Sequence, residues 1–194
     1  MLIRCCCTLL IAGATCLAAS KEQDVVDPTI QELRTMVEAD QKDGRAAPTE
    51  ADDLAHQKRV LELLVEGRIH GPEAQTHAAL ILQHTPLFFC DGSTHSYSRD
   101  NYYIAYLLAK SAADQGRKSA LGLAAAALDR YLINCEKPQK FGTQFTYFSA
   151  FTKKWVVYPI DPSTTDAERA SWNVPPLREL EKINQEIMKN QKKD

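Results

Sequence analysis

Apolar residues recur every three or four positions through most of this chain, with polar breaks between the runs. Asp27-Pro28 reads as an N-cap and first helical position, and Ile30, Leu33, Met36 and Val37 carry a helix to about Lys42. Gly44 to Pro48 breaks the pattern. Thr49-Glu50-Ala51-Asp52 resembles a capping box, and the helix behind it runs to about Glu66, where Gly67 supplies a stop. Its predicted apolar face is Leu54, Leu61, Leu64 and Val65. Gly71-Pro72 opens a third helix ending before Pro86. Ala78 to Leu82 is apolar all round, which predicts burial.

Leu87 to Tyr97 reads as a loop carrying Cys90, Asp91-Gly92 and His95. Ser98 caps a fourth helix from about Arg99 to Gln115, closed by Gly116. A fifth runs from about Lys118 to Ile133. Its nearly pure Ala/Leu stretch, Leu121 to Leu128, predicts a central, closely packed helix. The character then changes: Phe145, Tyr147, Phe148, Phe151 and Trp155 to Tyr158 predict a short aromatic hairpin or flap near 143–158. Thr165-Asp166-Ala167-Glu168 opens a short helix, and Pro175-Pro176 precedes a last amphipathic helix to about Asn190. No internal repeat is present. The fold class is therefore all-α, a single domain over 28–190 with about six or seven helices.

Composition narrows the class without changing it. With 194 residues, 44% hydrophobic, 25% charged and a net charge of -2, the chain is neither disordered, collagen-like nor a polybasic nucleic-acid binder. The N-terminus matters more. Arg4, an apolar run from Cys5 to Ala19 and then Ser20-Lys21-Glu22 read as a secretory signal peptide over 1–20. The run is shorter than the roughly 20 residues a spanning helix needs. A retained anchor is the alternative, as is lipidation at Cys16, whose preceding Gly13-Ala14-Thr15 departs from the usual lipoprotein sequence. Export to the periplasm or medium is the expectation, with a flexible mature start at 21–27 and a solvated tail at 191–194. Cleavage removes one charged residue, Arg4, and moves the net charge to -3.

Four of the six cysteines fall in the signal segment, leaving Cys90 and Cys135. An exported pair forms either a disulfide or two buried free thiols. A bridge would close a loop of about 45 residues, worth roughly 4 kcal/mol in the chain-entropy model.

His70, His77 and His84 recur at seven-residue spacing. Two helical turns rise about 10.5 Å, too far for one ion, so no intrahelical metal motif is expected. His84 closes an apolar helix, either as a site residue or as a cap on its carbonyls. Asp129-Arg130 ends the Ala-rich helix, where the dipole disfavours Asp129 and so demands a defined partner such as an arginine or backbone donors. Arg130 is either part of a structural ion pair or an anion anchor. Gln139, Thr143 and Gln144 flank Gly142 and offer several donors and acceptors, to a ligand or to their own loop. No nucleophile elbow, phosphate loop, paired-carboxylate signature or cofactor motif occurs. Cys90 as a nucleophile with His84 or His95 is less plausible than Cys90 in a disulfide.

Several strings occur in a recognisable order: Asp40-Gln41, Asp53 with Arg59-Val60, Ala78 to His84, Asp129 to Leu132, Gln139 to Gln144, and Val174 to Leu177. In that order the chain resembles a bacterial family, domain of unknown function 6624, over roughly 30–185. The Asp-Gln segment departs from it in placing Gly44 before Arg45. The resemblance implies a mostly helical fold and no assigned activity. Gln83, His84, Asp129, Arg130, Gln139, Thr143 and Gln144 are the candidate ligand-binding residues, arranged around one polar pocket. Two functions follow: a non-catalytic binding or interaction module for a polar or anionic ligand or a peptide, or a small hydrolase or transferase with His84 as general base.

Overall fold

The computed structural model describes residues 27–40, 50–90, 93–149 and 154–190. The expected signal segment with Cys16, the break at 44–48, Asp91-Gly92 and the tail at 191–194 lie outside these residues.

The described elements are α1 Pro28–Asp40, α2 Glu50–Val65, α3 Gly71–Leu82, β1 Leu87–Cys90, β2 Ser93–Ser96, α4 Arg99–Asp114, α5 Ala120–Asn134, β3 Thr146–Ser149, β4 Lys154–Val157, α6 Asp166–Ser171 and α7 Leu177–Asn190. The described residues are mostly helical, as the all-α pattern predicts, and include two small antiparallel hairpins where one was expected. Helix starts follow their caps. Ser98 accepts from the Asn101 N–H and Thr165 from the Glu168 N–H, each satisfying a donor that the first turn leaves orphaned.

Two expectations are corrected. The segment 87–97 is a hairpin, not a loop: Leu87 pairs with Ser96 and Phe88 with His95. Phe88 stacks on His95 across the strands with centroids 5.7 Å apart and meets Tyr97 edge-on at 5.2 Å. Asp91-Gly92 between two four-residue strands is a strong two-residue hairpin signal. The polar Ser-Thr-His-Ser strand hid it, because no apolar alternation marks its second half. On α2 the buried face is Gln57, Val60 and Leu63, while Leu54 is 41% and Val65 90% exposed. The true stripe is rotated by about one residue, 100° on a helix. The amide of Gln57 disguised it.

The main core joins Leu33, Val60, Leu63, Ile81 and Leu82 to Ala105, Ala109, Ala124 and Ala127. Each fully buried Leu, Ile or Val contributes about 1.5–3 kcal/mol. α4 packs most extensively, against α3 on one side and α5 on the other. Its alanines at 105, 109, 112 and 113 are fully buried, so the backbones approach closely. A second cluster, Ala125, Phe141, Val174 and Leu180, sits under α6 and α7. Trp172 bridges the two: it lies 6.4 Å from the Tyr106 ring and 5.0 Å from Phe141. The hairpin β3–β4 pairs Thr146 with Val157 and Ser149 with Lys154, within the expected aromatic segment.

Candidate functional site

The sequence-predicted residues fall into two groups. The first is an internal clamp. Asp129 is fully buried. Its Oδ1 accepts from the backbone N–H groups of Lys140 at 2.7 Å and Phe141 at 2.9 Å. Its Oδ2 accepts from the Thr143 N–H at 2.9 Å and the Thr143 hydroxyl at 2.8 Å. All four donors come from the loop after α5, so the carboxylate holds the returning chain against its own helix. The required partner of Asp129 is therefore a set of backbone donors and one hydroxyl.

Gln139, also fully buried, continues the clamp. Its Oε1 accepts from the Gln144 N–H, and its Nε2 donates to the carbonyls of Gln144 and Tyr158. Gln144 Nε2 donates to Thr143 Oγ1 at 3.0 Å. Gly142, at φ +86, lies where an added Cβ would meet Ile160 Cδ1 at 3.1 Å and Leu180 Cδ1 at 3.2 Å. Both reasons demand glycine. The hydrogen-bonding capacity of Asp129, Gln139 and Thr143 is filled within the chain, which makes them architecture rather than ligand contacts.

The second group gathers at one end of the bundle. Arg130 Nη1 donates to Gln83 Oε1 at 3.2 Å, joining α5 to the C-cap of α3. Burial pulls the Arg130 pKa below its ordinary value, against the opposing influence of Tyr102, Asp129 and Tyr158. Among the described arginines, Arg34, Arg59, Arg68, Arg99 and Arg169 have carboxylate partners, and Arg117 and Arg178 are exposed. Arg130 is half-buried and makes no ion pair among the described residues. Its neighbour Asp129 faces the clamp. Tyr102 is 3% exposed, and burial raises its pKa. Asn101, beside it, donates to Gln57 Oε1 at 2.7 Å, leaving Gln57 Nε2 sealed without a partner.

His84 does not meet Arg130 through its side chain. Its Nδ1 lies 3.8 Å from Asp40 Oδ2, an ion-pair distance longer than a hydrogen bond. The closer partner of Asp40 is His56, Nδ1 to Oδ1 at 2.9 Å. The Asp40 side chain is 2% exposed, while those of His56 and His84 are 23% and 30% exposed. Asp40 is the last residue of α1, where the helix dipole disfavours a carboxylate, and the His56 hydrogen bond offsets part of that cost. A carboxylate can only accept, so in this contact His56 Nδ1 is the donor. Asp53 borders the group. Burial, and then the charge of Asp40, raise its pKa.

His56, Asp53, Gln57, Asn101 and Tyr102 were missed as site residues by sequence reasoning. The legible signal was Gln57, a polar residue three positions after Leu54 and four before Leu61 on an otherwise apolar stripe. Nothing local marks His56, whose partner comes from another helix. His70 is exposed at the N-cap of α3, and His77 is half-buried with an unpartnered Nδ1. The three histidines do not converge. Among the described residues no group of three or more His, Cys, Asp or Glu is arranged to hold a metal ion. Cys135 is a free thiol beside the Tyr131 hydroxyl, and the side chain of Cys90 lies outside the described residues.

Comparison with family models, curated proteins and solved structures gave no match to this chain.

Proposed function

We propose that the chain is an exported, non-catalytic binding module and that Arg130 anchors a ligand carrying a carboxylate. The observation that supports this reading is a desolvated guanidinium that makes no ion pair among the described residues, the adjacent Asp129 carboxylate being hydrogen-bonded to the clamp. Desolvation of the guanidinium outweighs the attraction of the neighbouring Asp129 charge, and a bound anion offsets more of that cost. A single guanidinium, already partly offset by the Asp129 charge, matches a singly charged carboxylate better than a phosphate dianion. The planar fork suits bidentate capture, and Gln83 holds one of its nitrogens in place.

A thermal-shift screen of acetate, propionate and inorganic phosphate tests the reading. A ligand at a hundredfold excess over Kd stabilises by about 2.7 kcal/mol, enough to move a melting curve by several degrees. Carboxylates are expected to raise Tm more than phosphate does, and Arg130→Gln to abolish the rise. Equal shifts in wild type and Arg130→Gln would reject the site.

A second reading rests on the His56–Asp40 pair. An imidazole oriented by a carboxylate is the arrangement of a general base, with water as the nucleophile. On this reading the base is His56 rather than His84, because His56 has the hydrogen-bonded carboxylate. Hydrolysis of an activated ester that survives His56→Gln unchanged would dismiss it.

A further inference from the structure

A groove of about 670 Å³ runs between the extended segment Tyr158 to Pro162 and one face of α7, Leu177, Glu181, Asn184 and Gln185. Asn184 is 3% exposed and lines this groove. Its Oδ1 is sealed without a hydrogen-bond partner, and its amide nitrogen bonds to nothing else among the described residues. A buried amide oxygen left without a partner costs about 1–3 kcal/mol and calls for a reason. A half-turn of the amide exchanges its donor and acceptor, so it presents either to the groove.

The backbone alongside has the same property. Gln139 donates to the Pro159 carbonyl at 2.9 Å and accepts from the Asp161 N–H at 2.8 Å, forming a parallel bridge with Ile160. In that geometry the N–H and C=O of Ile160 point away from Gln139. Neither is bonded among the described residues. The Ile160 side chain is turned toward Gly142, which leaves this edge unobstructed by it.

Two carboxylates set the charge preference. Asp161 accepts from the Ser163 N–H at 2.9 Å and hydroxyl at 2.7 Å, and these bonds hold its pKa below the ordinary value. Glu181 is exposed and unpaired among the described residues. No basic side chain lines the groove.

We infer that this groove binds a short, extended, basic peptide, whose backbone pairs with Ile160 and bonds the Asn184 amide while a lysine or arginine meets Asp161 and Glu181. Strand addition to a free backbone edge supplies affinity independent of peptide sequence, and the carboxylates supply the preference for charge.

The probe is a pentapeptide alternating valine and lysine, acetylated and amidated so that it carries no carboxylate for Arg130. Failure here is thereby separate from failure of the anchor. Titrated into nitrogen-15-labelled protein to millimolar concentration, it is expected to shift the Ile160 N–H and the Asn184 side-chain amide in one saturable process. The glutamate counterpart should leave both unmoved. Asn184→Leu removes the sealed, unpartnered oxygen in favour of an apolar side chain, so it should raise Tm while abolishing the Ile160 shift. Glu181→Lys, on the exposed surface, should weaken binding severalfold without changing Tm. An unmoved Ile160 resonance, or equal affinity for wild type and Glu181→Lys, would overturn the proposal.

Discussion

Asp129 accepts four hydrogen bonds from a loop whose first donor, Lys140, lies eleven residues later, and this one side chain explains why α5 is followed by a tight return. Asp129→Asn keeps the shape but turns an amide donor toward backbone donors. It should cost about 2–4 kcal/mol in urea unfolding, since bonds to charged groups are worth about 1.5–3 each and orphaned N–H groups add their desolvation. A loss under about 1 kcal/mol would mean that the loop holds itself. The sequence made Asp129 conspicuous through its unfavourable place on the dipole. Its partners were not legible, because backbone donors carry no residue type. Arg169 shows the converse. It is 1% exposed, donates to the Phe141 and Thr164 carbonyls, and looks in the sequence like any surface arginine of a short helix.

At the scale of elements, local chemistry set the boundaries and tertiary contact set the faces. Ser98 and Thr165 marked helix starts that the structure places beside them, because an N-cap needs only its own first turn. Ser98→Ala should therefore cost about 1 kcal/mol, read as a lower midpoint with an unchanged slope in urea. A change in slope would point to a disrupted native state instead. The β1–β2 hairpin and the buried face of α2 were less legible. Strand β2 is polar throughout, and the α2 stripe runs through Gln57, whose burial depends on Asn101 from a different helix.

Across the whole molecule, the candidate residues divide between an interior clamp and one end of the helical bundle. Sequence proximity placed Asp129 and Arg130 together, but consecutive residues on a helix point about 100° apart, so one seals a loop and the other borders the site. Whole-molecule stability should also carry a histidine signature. Burial lowers the His77 pKa below its ordinary 6.5. The unfolded chain then binds more protons than the folded one below that value, so stability falls as pH drops through it. His77→Leu should flatten the decline between about pH 5 and 7, and an unchanged slope would assign it to other groups. The carboxylate range is separate. Glu73 and Glu32, held below 4.5 by Arg34 and Arg59, contribute stability present above that value and lost as pH falls through their lowered pKa values.

Arg130 is a desolvated guanidinium without an ion pair among the described residues, and the proposed carboxylate anchor rests on it. Its own Nε–H resonance in nitrogen-15-labelled protein reports on this most directly. On titration with acetate and then propionate, that resonance should move in a saturable manner and exchange more slowly with water, while those of exposed Arg117 and Arg178 move little. If all three respond alike, or if Arg130 stays unmoved at saturating carboxylate, the anchor does not exist.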